Sequence, residues 1–206
     1  MKRFPLFAAL TPLLLALPGG PAPAAPGKTA TSITSPVAAA KTFQVTETFY
    51  NCGEGAVPGP LHLAGTMTFR MTRPDKFRVE MTQSKSSPPT LYVSDGKWLV
   101  YKEGKQMKKW PTQGWEWPYP LMGLLNLPGH VSVVPTVRGG REVLLAVRVM
   151  GPDGGNRVET LYDAKSHLPL EDTMFMTWQG KNYTTTRTVY TDWVLNKPFT
   201  PAMFKP

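Results

Sequence analysis

Lys76-Phe77-Arg78-Val79-Glu80-Met81-Thr82 places Phe77, Val79 and Met81 on one side of an extended chain and every polar residue on the other. A period of two marks a strand with one buried and one solvated face, the pattern of an antiparallel sheet. Upstream, Met67, Phe69 and Met71 alternate with Thr66, Thr68 and Arg70, and Phe43, Val45 and Phe49 repeat the alternation nearer the start. Asp95-Gly96 separates Leu91-Tyr92-Val93 from Trp98-Leu99-Val100-Tyr101, a strong short-range hairpin signal. Glu103-Gly104, Gly139-Gly140, Asp153-Gly154-Gly155-Asn156 and Gly180-Lys181 punctuate the remaining strand-like runs. The reading is a mainly β chain of about ten or eleven strands in meander order. Twenty-two prolines and eighteen glycines in 206 residues leave few stretches for long helices.

One segment breaks this rhythm. Trp110, Pro111, Trp115, Trp117, Pro118 and Pro120 precede Leu121-Met122-Gly123-Leu124-Leu125. Pro120 suits the first position of a short helix, which would set Leu121 and Leu124 as a roof over one sheet face. With so little helix elsewhere, the sheet must curl on itself to bury its apolar side.

The N-terminus reads as an export signal over residues 1–24: Lys2 and Arg3, an apolar run from Phe4 to Leu17, then Ala22-Pro23-Ala24 as the cleavage site. The run is too short to span a bilayer, and no later segment approaches 18 consecutive apolar residues. The expected location is therefore periplasmic or secreted. Residues 25–41, rich in Ala, Ser, Thr and Pro, read as a linker or at most a short helix. The domain proper is expected over residues 42–206. Cys52 is the sole cysteine, which excludes an internal disulfide, and Tyr50-Asn51-Cys52-Gly53 lacks the context of a lipidated N-terminus. Its reading is an inert, partly buried thiol.

The formal charge is +9, and removing Lys2 and Arg3 leaves the mature chain basic. Lys102, Lys105, Lys108 and Lys109 form the densest cluster. Two readings stand for it: a solvated hairpin edge that discourages edge pairing, and attraction to an anionic membrane surface. Nucleic acid is not an expected partner, because an exported chain without an aromatic-basic recognition motif has no means of reading it.

Four stretches, taken in order, resemble the periplasmic lipoprotein-carrier (LolA/LolB-like) superfamily. They are Gly65-Thr66 with Arg73-Pro74-Asp75-Lys76-Phe77-Arg78-Val79-Glu80; Leu91 to Tyr101 through Ser94-Asp95-Gly96-Lys97; Leu161-Tyr162-Asp163-Ala164 with Leu168-Pro169-Leu170; and Asn196-Lys197-Pro198-Phe199-Thr200-Pro201-Ala202-Met203-Phe204. The resemblance covers roughly Thr42 to Pro206. It implies an unclosed, strongly curved antiparallel half-barrel with a short helical cover, and acyl chains of lipids or lipoproteins as ligands. It also implies that Arg73 gates the cover by hydrogen bonds to a facing helix; a solvated arginine beside a Pro turn is the plainer reading. The family's amphipathic N-terminal helix has no clear counterpart before Thr42.

Convergent catalytic chemistry is not visible in the sequence. His62, His130 and His167 are isolated, and Gly53-Glu54-Gly55 runs into Pro58-Gly59-Pro60, which forbids the helix a dinucleotide fingerprint requires. No catalytic residue, metal or cofactor is assigned. The candidate site is instead an apolar lining: Met67, Phe69, Met71, Phe77, Val79, Met81, Leu91, Val93, Trp98, Val100, Leu121 and Leu124, with Arg73 as gate. Methionine suits differently shaped apolar ligands, although the same residues serve equally as a plain core. The leading function is a non-enzymatic carrier of lipid or lipoprotein acyl chains in the cell envelope. A sensor or scaffold domain of the same fold that binds an envelope protein or mislocalised lipoprotein is the runner-up, with an exported hydrolase third.

Overall fold

The computed structural model describes residues 29–53, 58–83, 87–112, 130–150 and 156–205. The proposed signal peptide, Leu121 and Leu124 lie outside the described residues. The described residues form twelve strands: β1 (Thr31–Thr34), β2 (Thr42–Asn51), β3 (His62–Thr72), β4 (Lys76–Thr82), β5 (Thr90–Asp95), β6 (Trp98–Glu103), β7 (Gln106–Pro111), β8 (His130–Arg138), β9 (Arg141–Met150), β10 (Asn156–Asp163), β11 (Pro169–Trp178) and β12 (Lys181–Leu195). A four-residue helix, α1 (Pro36–Ala39), follows β1, and a 3-10 turn (Pro201–Phe204) ends the chain.

All pairs are antiparallel, in the spatial order β1-β8-β9-β10-β11-β12-β2-β3-β4-β5-β6-β7. The sheet is not closed and forms a curved half-barrel with β1 and β7 as its outer strands. The expected simple meander is thus corrected to two, β2–β7 and β8–β12, which meet where the long last strand β12 lies beside β2. The extra strand is β1, inside the stretch read as a linker, and its Ile33 packs with Val133, Leu144 and Tyr162.

Register explains the core. Directly opposed residues share a sheet face, and Phe43–Met71–Phe77, Val45–Phe69–Val79 and Glu47–Met67–Met81 form three parallel rows across β2, β3 and β4. The Phe43 and Phe69 rings lie 5.3 Å apart and those of Phe69 and Phe77 6.4 Å apart. This concave face packs against Val37 and Ala40 of the α1 segment. Gly65 is required by close approach: a Cβ there would stand 2.8 Å from the Phe49 ring and press on the Thr82 carbonyl. Gly96 has φ +92°, and a side chain would meet the Asp75 carboxylate at 2.8 Å, so the Asp-Gly hairpin is held by both backbone and space.

Candidate functional site

The β5 and β6 half of the expected lining needs correction. Across β4 and β5 the partners are Phe77–Ser94, Val79–Tyr92 and Met81–Thr90, whereas Val93 opposes Arg78 and Leu91 opposes Glu80. Val100 opposes Val93, and Trp98 shares the parity of Val100 along β6. Leu91, Val93, Trp98 and Val100 therefore lie on the outer face, opposite Met67, Phe69, Met71, Phe77, Val79 and Met81. On β5 both parities carry large apolar or aromatic residues, so alternation alone does not choose the inward one. Outside, Val93 and Val100 are buried, and the C-terminal 3-10 turn, whose Phe204 is buried, packs on β4 and β5. Arg78 donates to the Met203 carbonyl at 3.5 Å, tying that turn to the sheet.

Met67, Phe69, Met71, Phe77 and Val79 are together and nearly inaccessible, in one cluster with Val37 of α1, Ala40, Leu99 and Tyr190. A helix of four residues has no stability of its own. Its C-terminal carbonyls are engaged by Arg73: Nε donates to the Ala40 carbonyl at 3.0 Å and Nη2 to the Val37 carbonyl at 3.3 Å. The same guanidinium lies 5.6 Å from the centre of the Phe43 ring. α1 has no basic residue in its own last turn, so Arg73 supplies from β3's end the cation that a helix C-terminus favours. The stretch read as a linker or at most a short helix thus holds one four-residue helix, and Arg73 faces it. Asn196, from the C-terminal stretch of the resemblance, accepts from the Lys41 N–H at 3.0 Å and donates its own N–H to the Thr42 carbonyl at 2.8 Å. It thereby fixes the exit of α1 into β2.

Beyond α1 the same face continues through Phe49, Met81, Met174 and Val158, all half-buried. Between this strip and the core lies a group that the alternation reading passed over. Glu47 occupies the inward parity of Phe43, Val45 and Phe49, opposite Tyr190 on β12 and Met67 on β3. It is 4% exposed, and its Oε1 has no hydrogen-bond partner. Burial pushes its carboxyl up to about 8, helped by the nearby Asp172 charge. Asp172 sits diagonally across on β11; its Oδ2 accepts from the Tyr190 hydroxyl at 2.6 Å, while its buried Oδ1 is unpartnered. Burial, then Asp172 and Glu47, raises the Tyr190 hydroxyl well above its ordinary value. A carboxylate interrupting an apolar parity was the available sequence signal: Glu47 within Phe43-x-Val45-x-Glu47-x-Phe49, and Asp172 between Leu170 and Met174.

The outer edge of β6 and β7 holds the lysine cluster. Lys102 opposes Met107, and the Lys109 ammonium lies 4.6 Å from the centre of the Trp98 ring. Trp98 and Met107 are 41% and 66% exposed on that face. Cys52 is a free, partly buried thiol. Among the described residues no three of His, Cys, Asp and Glu gather as a metal site, and no helix is long and apolar enough to cross a membrane.

No family model and no curated protein matches the chain. Among solved structures, an outer membrane lipoprotein-sorting protein domain from Vibrio parahaemolyticus is similar at a TM-score of 0.34 and 10% identity, over 79% of this chain and 88% of that one.

Proposed function

We propose that this protein is a non-enzymatic carrier that shields acyl chains of lipids or lipoproteins on the concave face of its half-barrel during transfer within the cell envelope. The observation that carries this reading is the bond pair from Arg73 to the Val37 and Ala40 carbonyls, which makes the cover of an apolar face separable from the sheet. Fully burying Val37 contributes about 1.5–3 kcal/mol, and a hydrogen bond to a charged group about 1.5–3 kcal/mol. The two bonds from Arg73 thus contribute at least as much to holding α1 as the burial of Val37 does, so the cover depends on one side chain of the sheet. The half-buried strip of Phe49, Met81, Met174 and Val158 offers the first landing for a chain, and lifting α1 extends it over Phe69, Phe77 and Val79. The motif resemblance over Thr42 to Pro206 supports the same reading. Trp98, Met107, Lys102 and Lys109 form an apolar and cationic edge suited to transient contact with anionic lipid.

The test is binding of a fluorescent fatty-acyl probe by the mature protein, with displacement by unlabelled fatty acid. Met174→Asp places a charge on the strip and is expected to abolish binding while the thermal melt stays close to wild type. Unchanged binding by Met174→Asp would remove the strip from the site.

A further inference from the structure

Glu47 and Asp172 share the concave face diagonally across β12, where the apolar cluster under α1, through Tyr190, meets the one around Ile33, Val133, Leu144 and Tyr162. Each presents a buried carboxyl oxygen with no hydrogen-bond partner. Such atoms cost free energy in proportion to their isolation and persist where a function uses them. The charged and titratable groups facing the pair are few: Tyr190 from β12, which spends its proton on Asp172, and Tyr162 from β10, which the exposed Arg148 of β9 faces in turn. Met67 faces Glu47 from β3 and offers no donor. No lysine or arginine is bonded to either carboxyl among the described residues.

Two carboxyls with free acceptor oxygens, one set between Tyr190 and Met67 and the other between Thr160 and Thr188, are the complement of a primary ammonium: three N–H donors and one positive charge. Phe49, next inward after Glu47 on β2, and Met174, next inward after Asp172 on β11, continue from the pair along the open strip. An acyl or alkyl chain lying on that strip brings its polar end to the two carboxyls. We propose that Glu47 and Asp172 form the head-group subsite of this face and select ligands carrying a primary ammonium at the end of an apolar chain. The assignment deepens the carrier reading and rests on it. At neutral pH Glu47 holds its proton, so an arriving ammonium displaces that proton to solvent.

The experiment compares n-decylamine with n-decanol, below their aggregation concentrations, by titration calorimetry of the mature protein at pH 7 in two buffers of different ionisation enthalpy. The expected result is at least about tenfold tighter binding of the amine, with about one proton released per amine bound and none with the alcohol. Glu47→Gln and Asp172→Asn are each expected to bring the two affinities within about threefold. The wild-type proton count needs no variant, so the assignment stays testable if a variant does not fold. Equal affinities without proton release overturn the subsite and leave the carrier reading standing. Binding of neither ligand overturns both.

Discussion

Glu47→Gln should flatten the pH dependence of this protein's stability. In the unfolded chain the Glu47 carboxyl titrates near 4.5, and in the folded chain burial holds it at about 8. The folded state therefore binds a proton that the unfolded state has released across this window, and stability falls as pH rises. Its contribution is fully present below pH 4.5, declines between 4.5 and about 8, and is lost above that. Moving a carboxyl from 4.5 to about 8 corresponds to about 5 kcal/mol between its charged and neutral forms. That is an upper bound, because local relaxation and water entry lower the cost of a buried charge. The assay is urea unfolding of wild type and Glu47→Gln from pH 4.5 to 9, read by tryptophan fluorescence. Near pH 4.5 the two should agree within about 1 kcal/mol, since both side chains are then neutral. By pH 8 the glutamine variant should be the more stable by several kcal/mol. Parallel curves across the whole window would refute the burial of an unpartnered carboxyl at this position.

Arg73→Leu should lower global stability by about 1–3 kcal/mol and raise amide exchange in the α1 segment, including the Ala40 N–H, while leaving β9–β11 protected; uniform acceleration would show that Arg73 does not hold the cover locally. Gly65→Val should cost about 1–3 kcal/mol through overpacking against Phe49 and the Thr82 carbonyl, seen as a lower melting temperature; an unchanged melt would contradict the close approach of β3 to its neighbours. Reversing Lys102 and Lys109 to Glu should weaken co-sedimentation with phosphatidylglycerol vesicles at least about tenfold without affecting phosphatidylcholine, and equal binding to both vesicles by wild type would remove the charge argument.

The strands were legible because their alternation is strict where one face is buried and the other wet: β3 and β4 can be read from Met67 to Met81 almost residue by residue. Where both faces are covered, the pattern loses its direction. β5 and β6 carry Leu99 and Ser94 on the inside and Val93 and Val100 on the outside, all buried, with the C-terminal turn packed on β5, so nothing local distinguishes inward from outward. β1 was illegible for the opposite reason: its single apolar residue, Ile33, gives no period, and the strand exists by pairing with β8 about a hundred residues later. The place of β12 beside β2 is likewise a long-range choice. Arg73 was legible as a candidate through resemblance, whereas its acceptors are backbone carbonyls, which carry no residue signature. Glu47 was visible as an exception to its own strand's alternation, and its meaning needed Asp172, more than a hundred positions away, brought diagonally across β12 from it by the β11–β12–β2 register.

The central claim is that the concave face takes an acyl chain. The most direct measurement is native mass spectrometry of the protein purified without detergent, before and after incubation with total envelope lipid. A bound mass corresponding to a lipid, lost on organic extraction and restored by incubation with lipid, is the predicted result. A bare protein mass under every condition, with no displacement of an acyl probe, would contradict the account.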